Sequence, residues 1–491
     1  MFELNQPLET VGTGHCHWQA DPMPEKNEDG TYDIRSDWDK ATIDSLNAEK
    51  GQKRPIQGDL THVPNFDESY KAQMNRCADE LHNNSFRMSL DFGRLCPKPE
   101  QFDEKLMAEY IRKIAYCRKK KMDPMVTLHH WPMPLAFAEL DQSGGYKKGA
   151  WEHPEILKHF QFYIKKVTEY LFNPQKIRQI LEQDPDFTSQ EIDDMLNDGS
   201  IVRTFITINE PMCHYLLPYW AGEFPPFKKG KFKLGRKVLE KVGEAHHIAY
   251  NEMHNASENI SEVQNDIRLG VAYNFICFEG AGPITRRIAN YADRKMNWVP
   301  IEVVEKDGKE SDFFGIQYYH GEDISMRGAI RRVTGKDSRK DYQYGDHPGF
   351  GYIHPLGMKK VIQKVSKAYP EKTLKVTEFG FADKKDLRKP YWIMETVKYI
   401  LEAKEEGAKI DTVMFWSIIN NMEWSAGMGV EFGLYDHNGN RLPTDTGSQI
   451  SSRAVWGTLS TYLTNPTEQN KAAVLALHEL AKKQYESALA A

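Results

Sequence analysis

Two short segments, 207–211 (TINEP) and 376–380 (VTEFG), each combine β-branched or apolar residues with a glutamate and then a Pro or Gly. Each pattern predicts a strand that ends on a carboxylate, Glu210 in the first segment and Glu378 in the second. Strand ends present such side chains at the rim of a sheet, so the two can meet in one site. Paired carboxylates carry out acid/base and nucleophilic chemistry on acetals such as glycosidic bonds.

The elements that must position these carboxylates recur along the whole chain. Short apolar runs alternate with longer stretches of helical periodicity, and the runs lack polar alternation, as expected for parallel strands covered on both faces. The predicted strands are 10–18, 86–92, 124–130, 204–210, 269–275, 312–319, 373–378 and 412–418. This alternation predicts the α/β class, with one (β/α)₈ TIM barrel domain over residues 1–491 and elaborated βα loops. A doubly wound sheet would instead need a glycine-rich G-x-G-x-x-G loop after the first strand, and the sequence has none there.

Helices are expected between the strands and at the end of the chain. In the final helix, Asn465 is predicted as the N-cap and Pro466 as the first helical residue. Residues 20–64, polar and rich in turn formers, are predicted to fold over the barrel mouth. Residues 173–200, with a capping-box pattern at 188–191, predict a helical insertion before the fourth strand. The predicted helices outside this insertion are 101–121, 153–171, 236–254, 356–368, 388–406 and 466–490.

Composition and charge argue against several classes of function. The formal charge of −6, spread along the chain, disfavours nucleic acid or an anionic membrane as a partner. No apolar run approaches the ~18 residues that span a bilayer. Six cysteines without a C-x-x-C pair, and an N-terminus without a signal-peptide pattern, predict a cytoplasmic protein with reduced thiols. No motif requires a metal or another cofactor, and the oligomeric state is left open.

Residues suited to sugars gather at the predicted strand ends. Flat aromatic faces can cover the C–H side of a sugar ring, and carboxylates, amides and imidazoles can bind its hydroxyls. The aromatic candidates are Trp18, Trp131, Trp416 and Trp424. The hydroxyl-binding candidates are Gln19, His130, Asn209 and Glu423. Each of these residues alone has a structural explanation, such as core packing, so it is their coincidence at nearly every strand end that favours a sugar site.

Together these motifs resemble the retaining β-glycosidases of glycoside hydrolase family 1. The resemblance covers nearly the whole chain, from Gly12 to about Pro443, and the matching segments occur in the family's order. They are 86–89, 127–134, 207–211, 312–319, 376–380, 416–424 and 432–434. The resemblance implies an enzyme whose partner is a small-molecule β-glycoside or oligosaccharide.

The resemblance also implies a role for individual residues. Glu378 would be the nucleophile and Glu210 the acid/base. Arg87 and Tyr319 would hold Glu378 ionised and aimed, and Asn209 would bind the 2-hydroxyl of the sugar. The remaining substrate-binding residues would be Gln19, His130, Trp131, Trp416, Glu423 and Trp424, with Trp416 as the floor of the sugar subsite.

A few positions depart from the family pattern. Gln19 is followed by Ala-Asp-Pro, where the family usually has a Glu and a Gly two and three residues on. Phe379 and Gln317 stand where the family has Asn, and Asn420 stands where it has Asp. None of these changes removes a catalytic group.

The prediction is therefore a retaining, exo-acting β-glycosidase. A phosphorylated sugar is disfavoured because no Lys follows Trp424 closely and Glu431 would repel a phosphate. A glucoside is the first expectation, and a galactoside or fucoside is the alternative. A transglycosylase would use the same two carboxylates and stays open, as does a non-catalytic carbohydrate-binding protein on the same barrel. The second alternative is disfavoured because both carboxylates and their predicted supports are retained.

Overall fold

The computed structural model describes residues 2–49, 52–58, 60, 62–197, 200–259, 266–306, 311–325, 352–446 and 449–490. Within them, eight parallel strands close into a barrel in which each strand pairs with its neighbour in the chain and the last pairs with the first. The strands are β1 (Thr10–Gly14), β2 (Ser85–Ser89), β3 (Asp123–Thr127), β4 (Thr204–Asn209), β5 (Arg268–Glu279), β6 (Phe313–Asp323), β7 (Thr373–Phe379) and β8 (Ile410–Trp416). The predicted α/β class and (β/α)₈ barrel are confirmed.

Helices cover the outside of the barrel, and a small hairpin (Glu139–Leu140 with Tyr146–Lys148) lies apart from it. The α-helices are His17–Ala20, Asp37–Asn47, Phe66–Asn75, Phe92–Leu95, Glu104–Lys119, Ile156–Leu171, Pro174–Leu181, Ser189–Asn197, Cys213–Tyr215, Phe232–Asn259, Pro283–Asp293, Val299–Val304, Pro355–Ala368, Lys389–Glu405, Ser452–Thr464 and Glu468–Ala490. Over the described ranges, none of the helices combines the length and the apolar character needed to cross a membrane.

One helix shows why these elements form and pack. In Glu104–Lys119, the N-cap Asp103 accepts a hydrogen bond from the backbone N–H of Leu106 at 2.9 Å, which satisfies a donor that the helix itself cannot. Ile111 and Ile114, three residues apart on one face, are fully buried against the barrel. The inside of the barrel is packed as well. Its lower layer consists of Met125, Ile206, Ala272, Phe313 and Met414, so it is a core that supports the side chains above it.

The first strand is shorter than predicted. β1 ends at Gly14, and Trp18 and Gln19 lie in the short helix His17–Ala20 instead of at a strand end. Trp18 is completely buried and stacks on Trp424 with ring centroids 5.1 Å apart. The prediction that Trp18 offers its face to a sugar is therefore wrong, because its ring is used to pack other aromatic rings.

In the part that the structure describes, the segment 20–64 packs behind the aromatic residues at the barrel mouth, and none of its residues lines the cavity itself. Trp38, on the helix Asp37–Asn47, is 2% exposed and packs against both Trp18 and Trp424, with centroids 4.9 and 4.8 Å away. Ile56 and Leu60 belong to the same buried cluster. This segment backs the mouth of the barrel with apolar surface.

The helical insertion is also confirmed. It consists of Pro174–Leu181 and Ser189–Asn197, and the Thr188 hydroxyl and the Glu191 carboxylate form the reciprocal hydrogen bonds of a capping box.

The end of the chain differs from the prediction. The last helix begins at Glu468, not at Pro466, and Asn465 caps the C-terminus of the preceding helix, Ser452–Thr464, which was not predicted. Thr467 takes the N-cap role instead, because its hydroxyl accepts a hydrogen bond from the backbone N–H of Asn470 at 3.2 Å. Only three residues separate the two helices, so Asn465 caps the end of the first helix and Thr467 caps the start of the second.

Candidate active site

A cavity of about 390 Å³ opens at the carboxyl ends of the strands. Of the residues predicted for the site, all except Arg87 and Trp18 line it: Gln19, His130, Trp131, Asn209, Glu210, Tyr319, Glu378, Trp416, Glu423 and Trp424. Their chain positions span four hundred residues, so the barrel closure is what brings them together.

Glu378 lies next to the end of β7 and is held by three donors. The Arg87 guanidinium donates to its Oε1 and the Tyr319 hydroxyl donates to its Oε2. Gln317 Nε2 donates to Oε1 at 2.7 Å. Donors on both oxygens fix the orientation of the carboxylate and give it an arginine as counter-ion.

Arg87 lies beneath the cavity, where it joins several strands. Its side chain is fully buried, and its Nε donates to Thr127 Oγ1 at 3.0 Å. Its Nη2 donates to Asn209 Oδ1 at 2.7 Å. One side chain from β2 thus contacts residues of β3, β4 and β7, so the prediction that it supports Glu378 agrees with the contacts.

Glu210 follows β4 directly and has an unusual backbone. Its φ is +46°, in the left-handed region, and its N–H donates to the carbonyl of Ala272 on β5 at 2.8 Å. Two further cavity residues share this conformation, Trp131 with φ +77° and Trp424 with φ +49°. Such backbone is costly for residues other than glycine and persists where the surrounding structure requires it, often at functional sites.

The two carboxylates lie in different electrostatic environments. Burial, together with the negative charge of Glu378, raises the pKa of Glu210 to about 8. The thiol of Cys213 donates to Glu210 Oε2 at 3.0 Å and opposes that rise. Glu210 therefore keeps its proton at neutral pH, whereas Glu378 has an arginine beside it. This arrangement suits one acid and one nucleophile.

A polar group of side chains lies after β1 and β8. Gln19 Nε2 donates to the carbonyl of Met422 at 2.9 Å and to Glu423 Oε2 at 3.2 Å. Burial and the charge of Glu378 raise the pKa of Glu423 to about 8. These groups offer hydrogen-bond partners in fixed positions to a polar ligand.

His130 continues this polar group toward β4. Asn209 Nδ2 donates to His130 Nε2 at 3.1 Å. Burial, with a further contribution from Arg87, lowers the pKa of His130 well below its usual value, so the ring is neutral. A neutral imidazole can both accept and donate a hydrogen bond.

Tryptophan rings line the same side of the cavity. The rings of Trp131 and Trp424 have centroids 4.4 Å apart, and Trp131 Nε1 donates to the carbonyl of Asn209 at 3.1 Å. Trp416 is the last residue of β8 and is 3% exposed. The centroid of its ring lies 6.1 Å from the centroid of the His130 ring. The aromatic faces that the sequence suggested are thus present, except for that of Trp18.

One wall of the cavity was not predicted. β5 and β6 continue past their predicted ends to Glu279 and Asp323, and their extensions pair, with Phe278 opposite Glu322. Side chains on this two-stranded extension of β5 and β6, the ribbon, line the cavity. Further lining residues come from the segment that follows β4 and from Met296, which precedes the helix Val299–Val304. The unpredicted lining residues are Met212, Cys213, Leu216, Leu217, Glu223, Phe224, Asn274, Ile276, Phe278, Met296, His320, Glu322, Ser425 and Ala426. The apolar run that continues at 276–278 (ICF) was the signal that could have revealed the extension of β5, whereas residues 320–323 (HGED) gave no such signal for β6.

Two clusters of potential metal ligands occur among the described residues. In one, His17, Asp21 and Asp67 come together, and in the other Cys277, Glu279 and His354 do so. In each cluster a lysine bonds a carboxylate: Lys113 bonds Asp67 and Lys360 bonds Glu279. Ion pairs thus account for both clusters.

A larger groove, of about 500 Å³, lies on the outer helices. It is lined by residues of Ile156–Leu171, the start of Pro174–Leu181, and Glu252 and Ala256 of Phe232–Asn259. It contains neither predicted carboxylate, whereas the smaller cavity contains both.

This chain is similar in sequence and in fold to proteins of one known family. The model of glycosyl hydrolase family 1 matches residues 26–183 and 301–448, more than half of the chain. Beta-glucosidase 47 of Arabidopsis thaliana is 24% identical over 406 residues, covering 73% of this chain and 69% of the relative. The β-galactosidase of Pyrococcus woesei is 24% identical over 486 residues, covering 83% and 88%.

Solved structures show the same fold. The β-glucosidase of Thermotoga maritima, in complex with a methoxycarbonyl-substituted glucoimidazole, superimposes with a TM-score of 0.69 at 18% identity. The superposition covers 95% of this chain and 99% of that one.

Proposed function

Because this chain belongs to glycosyl hydrolase family 1 and is a glycoside hydrolase, we propose that it hydrolyses a terminal, non-phosphorylated β-glycoside with retention of configuration. The single observation that carries the proposal is the pairing of two unlike carboxylates in one cavity. Glu378 is held by Arg87 and Tyr319, and Glu210 keeps its proton at neutral pH.

In the proposed reaction, Glu378 attacks the anomeric carbon while Glu210 protonates the departing oxygen. The product of this step is a covalent glycosyl ester of Glu378. Its formation removes the negative charge that helps to raise the pKa of Glu210. Glu210 can then lose its proton more readily and act as the base that activates water for the second displacement.

We propose that the sugar lies on the polar side of the cavity. Gln19, His130 and Glu423 would bind its outer hydroxyls, Asn209 its 2-hydroxyl, and Trp416 would lie beneath the ring. The hydrogen bonds that hold these side chains support this proposal, since they fix the donor and acceptor positions that a hydroxyl pattern requires. Trp131 and Trp424 would supply aromatic surface beside them.

A neutral glucoside is the preferred substrate in this proposal, with a galactoside or fucoside as the alternative. Among the described residues that line the cavity there is no lysine or arginine to bind a phosphate, which disfavours a phosphorylated sugar. Glu431, which accepts a hydrogen bond from Asn420 Nδ2 at 3.0 Å and pairs with Lys384 at 3.5 Å, lies outside that lining. The two relatives described above, a β-glucosidase and a β-galactosidase, support a β-hexoside as the substrate. Exo action is proposed because Trp424, packed on Trp18, backs the cavity on that side.

We also propose a cytoplasmic location. All six cysteines lie within the described ranges, and all are buried and free. Free thiols are typical of a reducing compartment.

A panel of 4-nitrophenyl β-glycosides tests the substrate. We expect the glucoside to be turned over faster than the galactoside, fucoside and mannoside, and the 6-phosphoglucoside not to be turned over. NMR of early product should show the β-anomer first. A 2-deoxy-2-fluoro-β-glucoside should label the peptide that contains Glu378. An α-anomer as first product, or a label on another peptide, would contradict the proposed mechanism.

A further inference from the structure

We propose that the half of the cavity next to Glu210 receives an apolar leaving group, an alkyl or aryl aglycone, in preference to a second sugar. This inference rests on the proposed function, because it needs Glu210 to protonate the departing oxygen. It goes further by assigning the chemical class of the group that departs.

The barrel order separates the two halves of the cavity. In a closed ring of eight strands, β4 and β5 lie across the barrel from β8 and β1. Gln19 follows β1, and Glu423 and Trp424 follow β8, so these side chains lie on one side, and His130 and Asn209 lie between them and Glu210. Glu210 follows β4 on the other side, and the leaving group must lie next to it.

The side chains around Glu210 are mainly apolar. Met212 and Leu216 follow it in the chain and line the cavity. Glu210 N–H bonds to Ala272 on β5, and Ile276 and Phe278 lie farther along the same strand and also line the cavity.

Two sets of hydrogen bonds add Met296 to this surface. Ile276 N–H donates to Asn297 Oδ1 at 3.1 Å, and Asn297 Nδ2 donates back to the carbonyl of Ile276 at 2.9 Å. The Tyr215 hydroxyl donates to the carbonyl of Lys295 at 2.8 Å. Met296, between these two anchored residues, is therefore fixed beside Ile276 and the segment that follows Glu210.

Some of the polar side chains on this side contact one another. The polar side chains that line it are Glu223, Cys213, Asn274, His320 and Glu322, and they are outnumbered by apolar ones. The Asn274 side chain bonds the thiol of Cys213, which in turn donates to Glu210. His320 Nε2 lies 3.8 Å from Glu322 Oε1. A second sugar would bring several hydroxyls against methionine, leucine and isoleucine side chains, and each unpaired hydroxyl carries a desolvation cost. An alkyl or aryl group gains from the same surface.

Alkyl β-glucosides of increasing length, compared with cellobiose, test the inference. Alkanols and sugar hydroxyls are similarly poor leaving groups, so differences between them report mainly on binding. We expect kcat/KM to rise about fourfold for each methylene that enters the cavity. We also expect kcat/KM for hexyl β-glucoside to exceed kcat/KM for cellobiose by at least roughly tenfold, which is the gain that a few buried methylenes would give. Cellobiose equal to or better than the hexyl glucoside would overturn the inference.

The variant Met296→Gln tests whether the apolar surface is responsible. It keeps the length of the side chain and adds a polar group, so the ratio of kcat/KM for hexyl over methyl β-glucoside should fall about tenfold, as the loss of one to two buried methylenes would give. Met428→Gln is the matched control, because Met428 is also half-buried but does not line the cavity. An unchanged ratio in Met296→Gln, or an equal fall in the control, would overturn the inference.

Folding of each variant is checked by thermal unfolding. If Met296→Gln does not fold, Ile276→Thr is used in its place.

The inference and the proposed function fail in different ways. If no alkyl or 4-nitrophenyl β-glycoside is hydrolysed, the proposed function is wrong and the inference falls with it. If the glycosides are hydrolysed and cellobiose is preferred, only the inference is wrong.

Discussion

The two sides of the cavity use opposite kinds of contact. On the side of β1 and β8, Gln19 and Glu423 are hydrogen-bonded to each other, and Trp424 stacks on a buried ring behind it. On the side of β4 and β5, Ile276 and Met296 present apolar surface. A rigid polar surface selects one pattern of hydroxyls, whereas a methionine-containing apolar surface adapts to different shapes. We therefore expect strict selection of the sugar and tolerant selection of the leaving group.

The largest effect should come from Glu378→Ala, which acts on both sides together. Without the nucleophile, kcat should fall on the order of 10⁴-fold or more for every substrate, whatever its leaving group. Steady-state kinetics with 4-nitrophenyl and hexyl β-glucosides measures this. Glu479→Ala, at a glutamate whose side chain is 68% exposed, is the control and should be unchanged. Residual activity close to that of the wild type would remove Glu378 from the mechanism.

Glu210→Gln should separate leaving groups by their need for a proton. Alkyl β-glucosides should lose roughly 10²–10⁴-fold in kcat/KM, the usual contribution of a general acid. A 2,4-dinitrophenyl β-glucoside should lose far less in this parameter, because its leaving group departs without a proton. Equal losses for both substrates would contradict the acid role.

Glu423→Ala tests whether a change on the sugar side of the cavity leaves the preference for the leaving group unchanged. Losing a hydrogen-bond partner for a hydroxyl should lower kcat/KM about 10–100-fold. The loss should be the same for methyl and hexyl β-glucosides, since the leaving group lies across the cavity. A changed ratio between these two substrates would show that the two sides are not independent.

The smallest effect concerns pH and Cys213. Glu210 must be protonated to act as an acid, and its pKa is raised to about 8, so kcat/KM should fall as the pH rises through about 8. The thiol of Cys213 stabilises the charged form of Glu210. Cys213→Ala should therefore move the basic limb to higher pH, by roughly 0.5 pH unit for a hydrogen bond of ordinary strength. Cys277→Ala, at another buried free thiol, is the control, and a shift to lower pH in Cys213→Ala would contradict the argument.

The sequence by itself determined the fold and predicted the two carboxylates that the structure brings into one cavity. The alternation of apolar runs and amphipathic stretches predicted the barrel. Hydrophobic periodicity is a local property, so it can be recognised in the sequence without knowing the tertiary contacts. Glu210 and Glu378 were found for the same reason: each follows a strand pattern directly, and strand ends in such a barrel face one common site. The polar side of the cavity was likewise predicted, since Gln19, Glu423 and Trp424 lie close to the first and last strands.

Only the tertiary structure decided how the surroundings are built, because they depend on residues far apart in the chain. Trp18 has a sugar-binding residue type, yet rings from two other segments bury it completely. Arg87 supports Glu378 across 291 positions. Met296 reaches the cavity because hydrogen bonds fix its segment to β5 and to Tyr215. Such contacts follow from packing between distant elements, which local patterns do not encode.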